Sequence, residues 1–299
     1  MFCDNNNYNI NLPFNLIHQG KVRNIYDLVD NYLIVASDRI SAFDYVLPTL
    51  ILNKGKVLHQ LSMFWFNMTK SIIENHIVTG DFNTFPQNLK KYSYLCGRSM
   101  IVKKATRINI ECIVRGYISG SGWSEYCKTG KICNIALDKN LKESSKLQYP
   151  IFTPSTKEET GQHDKNISFA DMINILGQEV AYKLKNTSIE LYNKISQYTL
   201  SKGLILADTK FEYGVYNNNI ILIDEIFTPD SSRFWEIDKY QEGKSQDSLD
   251  KQYVRNYLEY IKWNKEPPIP KLPDSIVKQT IMKYIDVYEK LTGCKFNYV

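Results

Sequence analysis

The side chains best suited to chemistry in this sequence lie within residues 204–235, which read as two strands joined by a turn. Asp208, Lys210 and Glu212 recur at every second position, and side chains alternate between the two faces of a strand with this period. The Asn residues at 217–219 can reverse the chain because Asn tolerates left-handed backbone angles. The pattern therefore predicts a hairpin whose first strand presents a charged face.

The second strand of this hairpin, residues 220–223, is apolar at every position, which predicts a central place in its sheet. The register of the hairpin decides which charged groups meet. If Tyr216 pairs with Ile220, Glu212 lies directly opposite Asp224. Two like charges would repel each other there, and burial would favour a proton on one of the carboxylates.

A divalent cation between the two carboxylates would remove this repulsion, and Mg²⁺ prefers one or two carboxylates together with phosphate oxygens and water. A slip of one residue in one direction would instead place Glu212 opposite Glu225, and a slip in the other direction would lose the pair. The alternative to a metal site is an ordinary hairpin with two solvent-facing carboxylates.

The composition bounds the class of protein. With 299 residues, of which 43% are hydrophobic and 23% charged, the chain is expected to form one large or two ordinary globular domains. A formal charge of +5 without a clustered basic stripe fits an enzyme of anionic metabolites better than a nucleic-acid binder. The six cysteines form no CxxC pair, and we find no secretory signal and no apolar run of membrane-helix length. We therefore expect a soluble, cytoplasmic protein with reduced thiols.

A second group of cations lies near the N-terminus, in segment 18–28. Lys21 and Arg23 would fall on one face of a strand, about 6.6 Å apart, and Gly20 would let the backbone approach a ligand. A break at 29–31 makes the segment one arm of a hairpin. Two cations on a glycine-led hairpin could bind a polyphosphate, and a solvated strand face is the alternative.

Two further segments are rich in polar side chains. Arg115 opens a Gly/Ser-rich loop at 116–123, whose amides and hydroxyls could surround a phosphate while the arginine supplies a bidentate fork. A flexible glycine turn is the alternative. Residues 152–164 predict either a surface loop or a lid over a substrate. His59, within a predicted helix at 55–72, is expected to be a hydrogen-bonded helix residue and not a catalytic one.

The order of predicted elements indicates an α+β fold with two lobes. Hairpins up to about residue 105 suggest a smaller β-rich lobe, residues 1–105, followed by a larger α+β lobe, residues 106–299, with a nucleotide in the cleft between them. Helices beyond residue 160 are predicted from Ser168, capped with the help of Asp171, through Val180, from about Ser188 to Gly203, from Leu249 to Trp263, and from about Asp274 to Gly293.

Taken together, seven segments resemble the SAICAR synthetase family of purine biosynthesis, in the order in which that family has them. They cover most of the chain. They are GKVR at 20–23, SDRISAFD at 37–44, ECIVRGYISGSGW at 111–123, FTPSTKEETGQHD at 152–164, LADTKFEYG at 206–214, DEIFTPDSSRFW at 224–235 and SLDKQYVRNYL at 248–258.

The resemblance implies a two-lobed SAICAR synthetase-like fold and an ATP-dependent ligase. Such an enzyme joins L-aspartate to the carboxylate of the ribonucleotide CAIR and releases ADP and phosphate. A carboxylate is a poor acylating group, so ATP would first convert it to an acyl phosphate, which the aspartate amine attacks. The implied ligands are ATP, Mg²⁺, CAIR and L-aspartate, with no nucleic acid and no membrane, and the implied assembly is a monomer or a small homo-oligomer.

The resemblance also assigns roles to individual residues. Lys21, Val22 and Arg23 would bind ATP at its phosphates, and Lys103 and Glu111 would lie near the adenosine. Arg115, Ser121 and Arg233 would hold CAIR and its phosphate, with Lys157, Lys210 and Asp230 around the imidazole and its carboxylate as catalytic residues. Glu212 and Asp224 would bind Mg²⁺. The base that accepts the proton of the aspartate amine is not assigned.

Two other classes of function are weighed against the ligase. A kinase-like phosphotransferase would share a glycine turn, a lysine and a metal-binding aspartate, but the sequence has no HRD-type loop, no DFG and no GxGxxG. A non-catalytic nucleotide or RNA binder would bind without turnover and would show a clustered basic face.

Overall fold

The structure, a computed structural model, describes residues 12–157 and 165–298. The strands, in chain order, are β1 (Asn15–Gln19), β2 (Arg23–Asp27), β3 (Asn31–Ala36), β4 (Ser41–Ala42), β5 (Tyr45–Val46), β6 (Ile77–Thr79), β7 (Ser99–Lys103), β8 (Thr106–Arg107), β9 (Ile110–Tyr117), β10 (Lys131–Ile132), β11 (Ile135–Ala136), β12 (Lys146–Thr156), β13 (Leu204–Tyr216), β14 (Asn219–Ile223) and β15 (Ser232–Glu236). The helices are α1 (Lys54–Thr69), α2 (Gln87–Lys90), α3 (Gly120–Thr129), α4 (Phe169–Leu176), α5 (Gln178–Ser201), α6 (Gln252–Tyr260) and α7 (Asp274–Thr292).

Two antiparallel sheets organise these elements, and the fold is α+β. The first sheet has the order β1-β2-β3-β7-β6. The second is built around the long strand β13, which pairs with β9, β14, β15 and β8 along different parts of its length, while β12 pairs with the far side of β9. Because β13 meets so many partners, every charged side chain on it lies close to other elements.

The helices cover the second sheet and share its core. Helix α1 packs against α7, and α5 packs against β13 and β9. Trp65 of α1, Leu191 of α5, Phe211 of β13 and Tyr284 of α7 are all buried in one hydrophobic cluster. Helix α1 therefore belongs to the core of the second sheet although it lies early in the sequence. Within the described ranges, no helix is long and apolar enough to cross a membrane.

The hairpin of β13 and β14 has a different register from the one that opposes Glu212 and Asp224. Asn217 and Asn218 both have positive φ, 48° and 61°, as in the two-residue turns that suit hairpins. The turn is thus one residue shorter than the pairing of Tyr216 with Ile220 requires. Tyr216 pairs with Asn219, and Glu212 pairs with Ile223. The direct opposition of Glu212 and Asp224 is therefore wrong, and the structure has the slipped register in which this pair is lost.

The predicted central position of the return strand is also wrong. Strand β14 pairs with β13 on one side only. On its other side Leu222 forms a parallel bridge with Asn75, and the backbone N–H of Leu222 donates to the carbonyl of Glu74 at 2.9 Å. A loop thus satisfies the backbone groups of this edge. The apolar sequence has a separate cause, since Ile221 and Leu222, on opposite faces of the strand, are both fully buried.

Three other boundaries differ from the sequence prediction. The Gly/Ser-rich loop after Arg115 is short because helix α3 already begins at Gly120. The polar segment that begins at residue 152 continues strand β12 through Thr156, and its part at 158–164 lies outside the described residues. The helix break falls at Gly177, with φ 81°, and not before Ser188, which is buried in the middle of α5. The capping box of Ser168 and Asp171 is confirmed.

Candidate active site

The loop between β14 and β15 carries two acidic groups of the site, Asp224 and Glu225. Asp224 and Phe227 have positive φ, 68° and 51°, so the loop turns sharply at two places where the side chain disfavours it. Surrounding contacts hold it: the indole Nε1 of Trp65 donates to the carbonyl of Phe227 at 3.0 Å, and the Thr228 hydroxyl donates to Glu225 Oε2 at 2.9 Å. The loop therefore presents its carboxylates from a fixed backbone.

Arg23 joins the first sheet to this loop. Its guanidinium contacts Asp224 Oδ2 at 2.8 Å and Glu225 Oε1 at 2.7 Å. Burial opposes the charge of Arg23, but Asp224 and Glu225 outweigh this effect and raise the pKa of the guanidinium. Burial also raises the pKa of Asp224, to about 6; Arg23 opposes that rise, and Glu212 and Glu225 add to it. Asp224 is thus a carboxylate whose negative charge is not fully compensated.

Two lysines and two glutamates meet beside Asp224. Lys210 Nζ donates to Glu111 Oε1 at 2.5 Å and to Glu212 Oε1 at 3.2 Å. Lys157 Nζ donates a hydrogen bond to the same Glu212 oxygen, and it lies 3.7 Å from Glu111 Oε1. Burial opposes the charge on Glu212, yet Lys210 and Lys157 lower its pKa well below the ordinary value. We call the seven residues together the acidic cluster: Arg23, Glu111, Lys157, Lys210, Glu212, Asp224 and Glu225.

The acidic cluster suits a divalent cation that is shared with a ligand. Among the described residues no group of three or more His, Cys, Asp or Glu side chains is arranged as a metal site. Mg²⁺ does not require one, since it commonly takes one or two carboxylates and completes its shell with phosphate oxygens and water. Burial and the nearby charges of Glu212 and Glu225 disfavour the negative charge of Asp224 and raise its pKa, and a cation beside Asp224 and Glu212 would remove that cost.

A second cluster, four residues earlier on β13, has the opposite charge balance. Asp208 Oδ2 accepts hydrogen bonds from Arg115 Nη1 at 3.0 Å and from Arg233 Nη1. Arg115 also donates to the hydroxyls of Thr153 at 3.1 Å and Ser121 at 3.2 Å. We call these five residues the basic cluster. Its charged groups are two guanidinium groups and one carboxylate: Arg115 and Asp208 are buried, and the side chain of Arg233 is 19% exposed.

The start of helix α3 adds further hydrogen-bond donors to the basic cluster. The backbone N–H groups of the first turn of a helix have no partner within the helix, and they favour anions. Ser121 lies in this first turn, and Gly120 has φ 53°. A Cβ at Gly120 would stand 2.3 Å from Arg233 Nη2, so this glycine is what lets the guanidinium lie against the helix start. The arrangement is well suited to a phosphate.

Asp230 lies apart from both clusters. Its side chain is completely buried. Lys54 Nζ contacts Oδ2 at 2.7 Å, Lys251 Nζ contacts the same oxygen at 3.0 Å, and the Tyr284 hydroxyl donates to Oδ1 at 2.8 Å. Burial opposes the charge on Asp230, but Lys251 and Lys54 lower its pKa well below the ordinary value.

The N-terminal hairpin places its two cations in different surroundings. Lys21 lies in the turn between β1 and β2, is half exposed and pairs with Asp44, whereas Arg23 is turned towards the acidic cluster. The predicted single face with both cations is therefore wrong. Arg39 fixes the turn by donating to the carbonyl of Gly20 at 3.0 Å. The neighbouring carbonyl of Val22 accepts a hydrogen bond from the Ser37 hydroxyl at 2.8 Å.

Lys103 stands further from these groups. Its ammonium lies 4.0 Å from Glu74 and 5.3 Å from the ring centre of Tyr216, at the other end of the hairpin of β13 and β14.

Buried His59 lies next to the carbonyl oxygen of Gly80, with its ring nitrogen Nε2 3.3 Å away, and burial lowers its pKa to about 4. This agrees with its expected role as a helix histidine.

The structure thus brings most of the predicted site residues into two clusters on β13, leaves Lys21 and Lys103 at the edge, and buries Asp230. No role was assigned from the sequence to several other contributors, namely Asp208, Thr153, Glu225, Lys54 and Lys251. Asp208 could have been found, because it shares the charged face of Lys210 and Glu212 in the sequence pattern. Thr153, Lys54 and Lys251 carry no such signal, since each reaches the site from a different element. A cluster that favours anions and a cluster that favours cations on one strand would suit an enzyme that binds a phosphorylated substrate together with a metal.

Comparison with known proteins narrows this class to one family. The family model for SAICAR synthetase matches residues 16–270. The phosphoribosylaminoimidazole-succinocarboxamide synthase of Thermodesulfovibrio yellowstonii is 55% identical over 93% of this chain and 95% of that relative. The corresponding enzyme of Geobacter sulfurreducens is 53% identical over 93% and 94%. The SAICAR synthase of Saccharomyces cerevisiae, solved in complex with SAICAR, is 42% identical, with a TM-score of 0.86 over 95% of this chain and 97% of that one.

The chain therefore belongs to the SAICAR synthetase family. It is a ligase of purine biosynthesis, as the resemblance of its motifs implied.

Proposed function

We propose that the chain joins L-aspartate to the carboxylate of CAIR, with ATP as the energy source and Mg²⁺ as the metal. The observation that carries this proposal is the arrangement of charges along β13. Asp208, Lys210 and Glu212 are two residues apart in turn, so Asp208 of the basic cluster and Glu212 of the acidic cluster are about 13 Å apart along the strand, with Lys210 between these two residues. This spacing suits a phosphorylated ribonucleotide that lies along the strand, and the yeast relative was solved with the product SAICAR.

In this proposal the basic cluster binds the phosphate of CAIR. Arg115 and Arg233 already share one carboxylate, so each guanidinium has free N–H donors for phosphate oxygens, and Ser121 and the first turn of α3 add neutral donors. Arg115 and Arg233 both contact the single carboxylate of Asp208, and Asp250 acts on Arg233 only at longer range, so a phosphate would complete the charge balance of this largely buried site. Burial lowers the pKa of Arg115, which agrees with a shortage of negative charge around it.

The acidic cluster would position ATP and the carboxylate that it activates. Lys157 and Lys210 direct their ammonium groups to the space between Glu111 and Glu212, where they can orient the carboxylate of CAIR. Glu212 and Asp224 would hold Mg²⁺, which when bound neutralises phosphate charge. Arg23 keeps Asp224 and Glu225 in place from the first sheet. Lys21, half exposed in the turn that it shares with buried Val22, would reach the phosphates of ATP. Lys103 would lie towards the adenosine end.

The reaction would take place in two displacements. A carboxylate oxygen of CAIR attacks the γ-phosphorus of ATP, the bond to the β–γ bridging oxygen breaks, and ADP leaves. The amine of L-aspartate then attacks the acyl carbon. The bond between the acyl carbon and the phosphate oxygen breaks, phosphate leaves with its electrons, and the new amide nitrogen loses a proton. Positioning and charge neutralisation account for most of the catalysis of phosphoryl transfer. Accordingly, nearly every candidate residue is a fixed charge.

We also propose the domain division, assembly and location that the sequence suggested. Residues 1–105 would supply the ATP-binding lobe, with α1 packed into the core of the second sheet, and residues 106–299 the lobe with the CAIR and metal sites. The protein would work in the cytoplasm as a monomer or a small homo-oligomer, without nucleic acid or membrane partners.

A coupled assay of ADP release tests the proposed function. The purified chain is given ATP, Mg²⁺, CAIR and L-aspartate, and each component is omitted in turn. We expect turnover with the complete mixture and the loss of amide product whenever one component is missing. ADP release that continues without CAIR, or that requires an alcohol or protein acceptor, would contradict the ligase assignment.

A further inference from the structure

The buried group around Asp230 has a feature that the proposed function does not use. Four elements meet there: Lys54 from the start of α1, Asp230 from the loop before β15, Lys251 from the residue before α6, and Tyr284 from α7. We call these four residues the Asp230 cluster. Tyr284 lies outside the region that the family model matches, which ends at residue 270.

The Asp230 cluster holds more positive than negative charge. Both ammonium groups contact the same oxygen, Oδ2, while the other oxygen accepts from Tyr284. Glu225 also acts on Lys251 at longer range, but its two oxygens are taken by Arg23 and by the Thr228 hydroxyl. Within the described part of the chain, Lys251 therefore shares its one contacting carboxylate with a second cation.

The exposure of the four side chains shows which of them can meet a ligand. The side chains of Lys54 and Asp230 are 0% exposed, Tyr284 is 0% exposed, and the side chain of Lys251 is 12% exposed. Burial, together with the charge of Lys54, lowers the pKa of Lys251 to about 8 despite the carboxylate of Asp230. A buried cation in this condition favours a further anion beside it.

Tyr284 fixes the geometry of the cluster from the C-terminal helix. Its hydroxyl holds one oxygen of Asp230, which leaves the other oxygen directed at the two lysines, and its ring centre lies 6.0 Å from Lys54 Nζ. A carboxylate without that hydrogen bond could rotate, and the ammonium of Lys251 would follow it. Tyr284 is therefore suited to a positioning role and does not itself reach a ligand.

We propose that Lys251 binds an anionic group of a substrate, a carboxylate or a phosphate, and that Tyr284 positions it through Asp230. This inference rests on the proposed function, because the anion is taken from among the ligase substrates. It makes helix α7 a part of the ligand site as well as of the core.

Steady-state kinetics of two variants test the proposal. Lys251→Met leaves Asp230 with Lys54 and Tyr284, so the melting temperature should hold or rise, because a buried excess charge has been removed. We expect KM for one of the three substrates to rise roughly tenfold or more, since a buried charged contact is lost, and KM for the other two to stay within about twofold. Tyr284→Phe should raise KM for the same substrate by a smaller factor or lower kcat.

Two matched controls separate positioning from stability. Lys283 has 14% exposure and a single carboxylate partner, Asp247 at 2.8 Å, so Lys283→Met controls for the loss of a partly buried lysine. Tyr198 donates to the carbonyl of Leu291 in α7 at 2.6 Å, so Tyr198→Phe removes a comparable hydrogen bond to the same helix. Both controls should leave all three KM values within about twofold of those of the wild type.

The substrate whose KM changes identifies the anion. A change confined to ATP indicates a phosphate, and one confined to L-aspartate indicates a carboxylate. A change confined to CAIR is resolved by binding of the ribonucleotide that lacks the imidazole carboxylate. Unchanged KM values in Lys251→Met, or equal losses for all three substrates with a lower melting temperature, would overturn the proposal. Absence of ligase turnover in the wild type would instead refute the proposed function.

Discussion

The two clusters on β13 are built from the same kinds of side chain in opposite proportions. In the basic cluster two arginines share one carboxylate, Asp208. Around Arg23 two carboxylates, Asp224 and Glu225, share one arginine. In each cluster the ion pairs compensate part of the charge and leave a net charge, which is positive in the basic cluster and negative in the acidic cluster. We call this uncompensated charge the remainder. The remainder determines which ligand each end of the strand can take.

This comparison shows why a count of ion pairs would misdescribe the site. Every charged group named in the two clusters has at least one partner, so neither cluster is an open pocket of free charges. The pairs hold the side chains in position before any ligand arrives, and little reorganisation is then needed when charge develops. Substitutions that change the remainder should therefore act on ligands more than on folding.

The largest effect is expected from Asp224→Asn, which removes the negative remainder. The variant should lose nearly all Mg²⁺-dependent turnover, by about a hundredfold or more if one metal ligand is lost. Its melting temperature without ligand should hold or rise, because burial already disfavours the charge of Asp224 and Arg23 keeps Glu225. Activity assays over a range of Mg²⁺ concentrations and thermal unfolding with and without Mg-ATP measure both parts.

Stabilisation by Mg-ATP should shrink in this variant, and that result separates lost binding from lost folding. Full activity in a folded Asp224→Asn protein would remove Asp224 from the metal site. A variant that is merely unfolded would show that the carboxylate is needed for the loop and not for the metal.

Arg115→Ala should have the next largest effect, because it reduces the positive remainder at the other end of the strand. Loss of one partner of a buried, charge-assisted pair costs about 2–4 kcal/mol, or roughly 30- to 800-fold in affinity for CAIR. Arg115→Lys should recover only part of this, since an ammonium cannot present a planar fork to phosphate and hydroxyls together. Separate titrations of CAIR and ATP are the measurement. If ATP binding weakens and CAIR binding does not, the two ends are assigned in the wrong order.

A smaller effect concerns pH, and it isolates Asp224 from its neighbours. A carboxyl group whose folded-state pKa is about 6 binds its proton more tightly in the folded than in the unfolded chain, where the pKa is about 3.9. Its contribution to the free energy of unfolding therefore falls as pH rises from about 4 to about 6 and is constant above that range. Asp224→Asn lacks this group. The melting temperature of the variant should therefore rise relative to that of the metal-free wild type as pH increases across the same interval. Parallel curves between pH 4.5 and 7.5 would contradict the raised pKa.

The sequence predicted the composition of both clusters better than their geometry. The period-2 pattern of Asp208, Lys210 and Glu212 placed three charged groups on one face of a strand, and the structure has them there. The register of the hairpin depended on whether the Asn turn used two residues or three, and both choices satisfy the local preferences of Asn. Local pattern could not decide between them.

Contacts between distant segments were beyond the reach of local patterns for a different reason. Arg23 meets Asp224 across 201 residues of sequence, and Lys54 meets Asp230 across 176. Nothing within either segment indicates the other, because the meeting depends on how the first sheet, α1 and the loop before β15 pack together. The resemblance to a known family supplied the missing long-range information for Arg23 but gave no role to Lys54 or Lys251.

The smallest effect is expected from Lys21→Ala, at the exposed edge of the acidic cluster. Lys21 and Asp44 are each 51% exposed, and surface ion pairs of this kind contribute about 0–1 kcal/mol, so the melting temperature should not change measurably. KM for ATP should rise by about two- to fivefold, with KM for CAIR and L-aspartate unchanged, because a lysine acts on phosphate as a point charge. The effect should fade at high salt, since exposed charges are screened.

Lys239→Ala is the matched control: the Lys239 side chain is 65% exposed and forms an ion pair with Glu236, outside both clusters. Equal ATP affinity in Lys21→Ala and Lys239→Ala at low salt would show that the N-terminal turn does not reach the nucleotide.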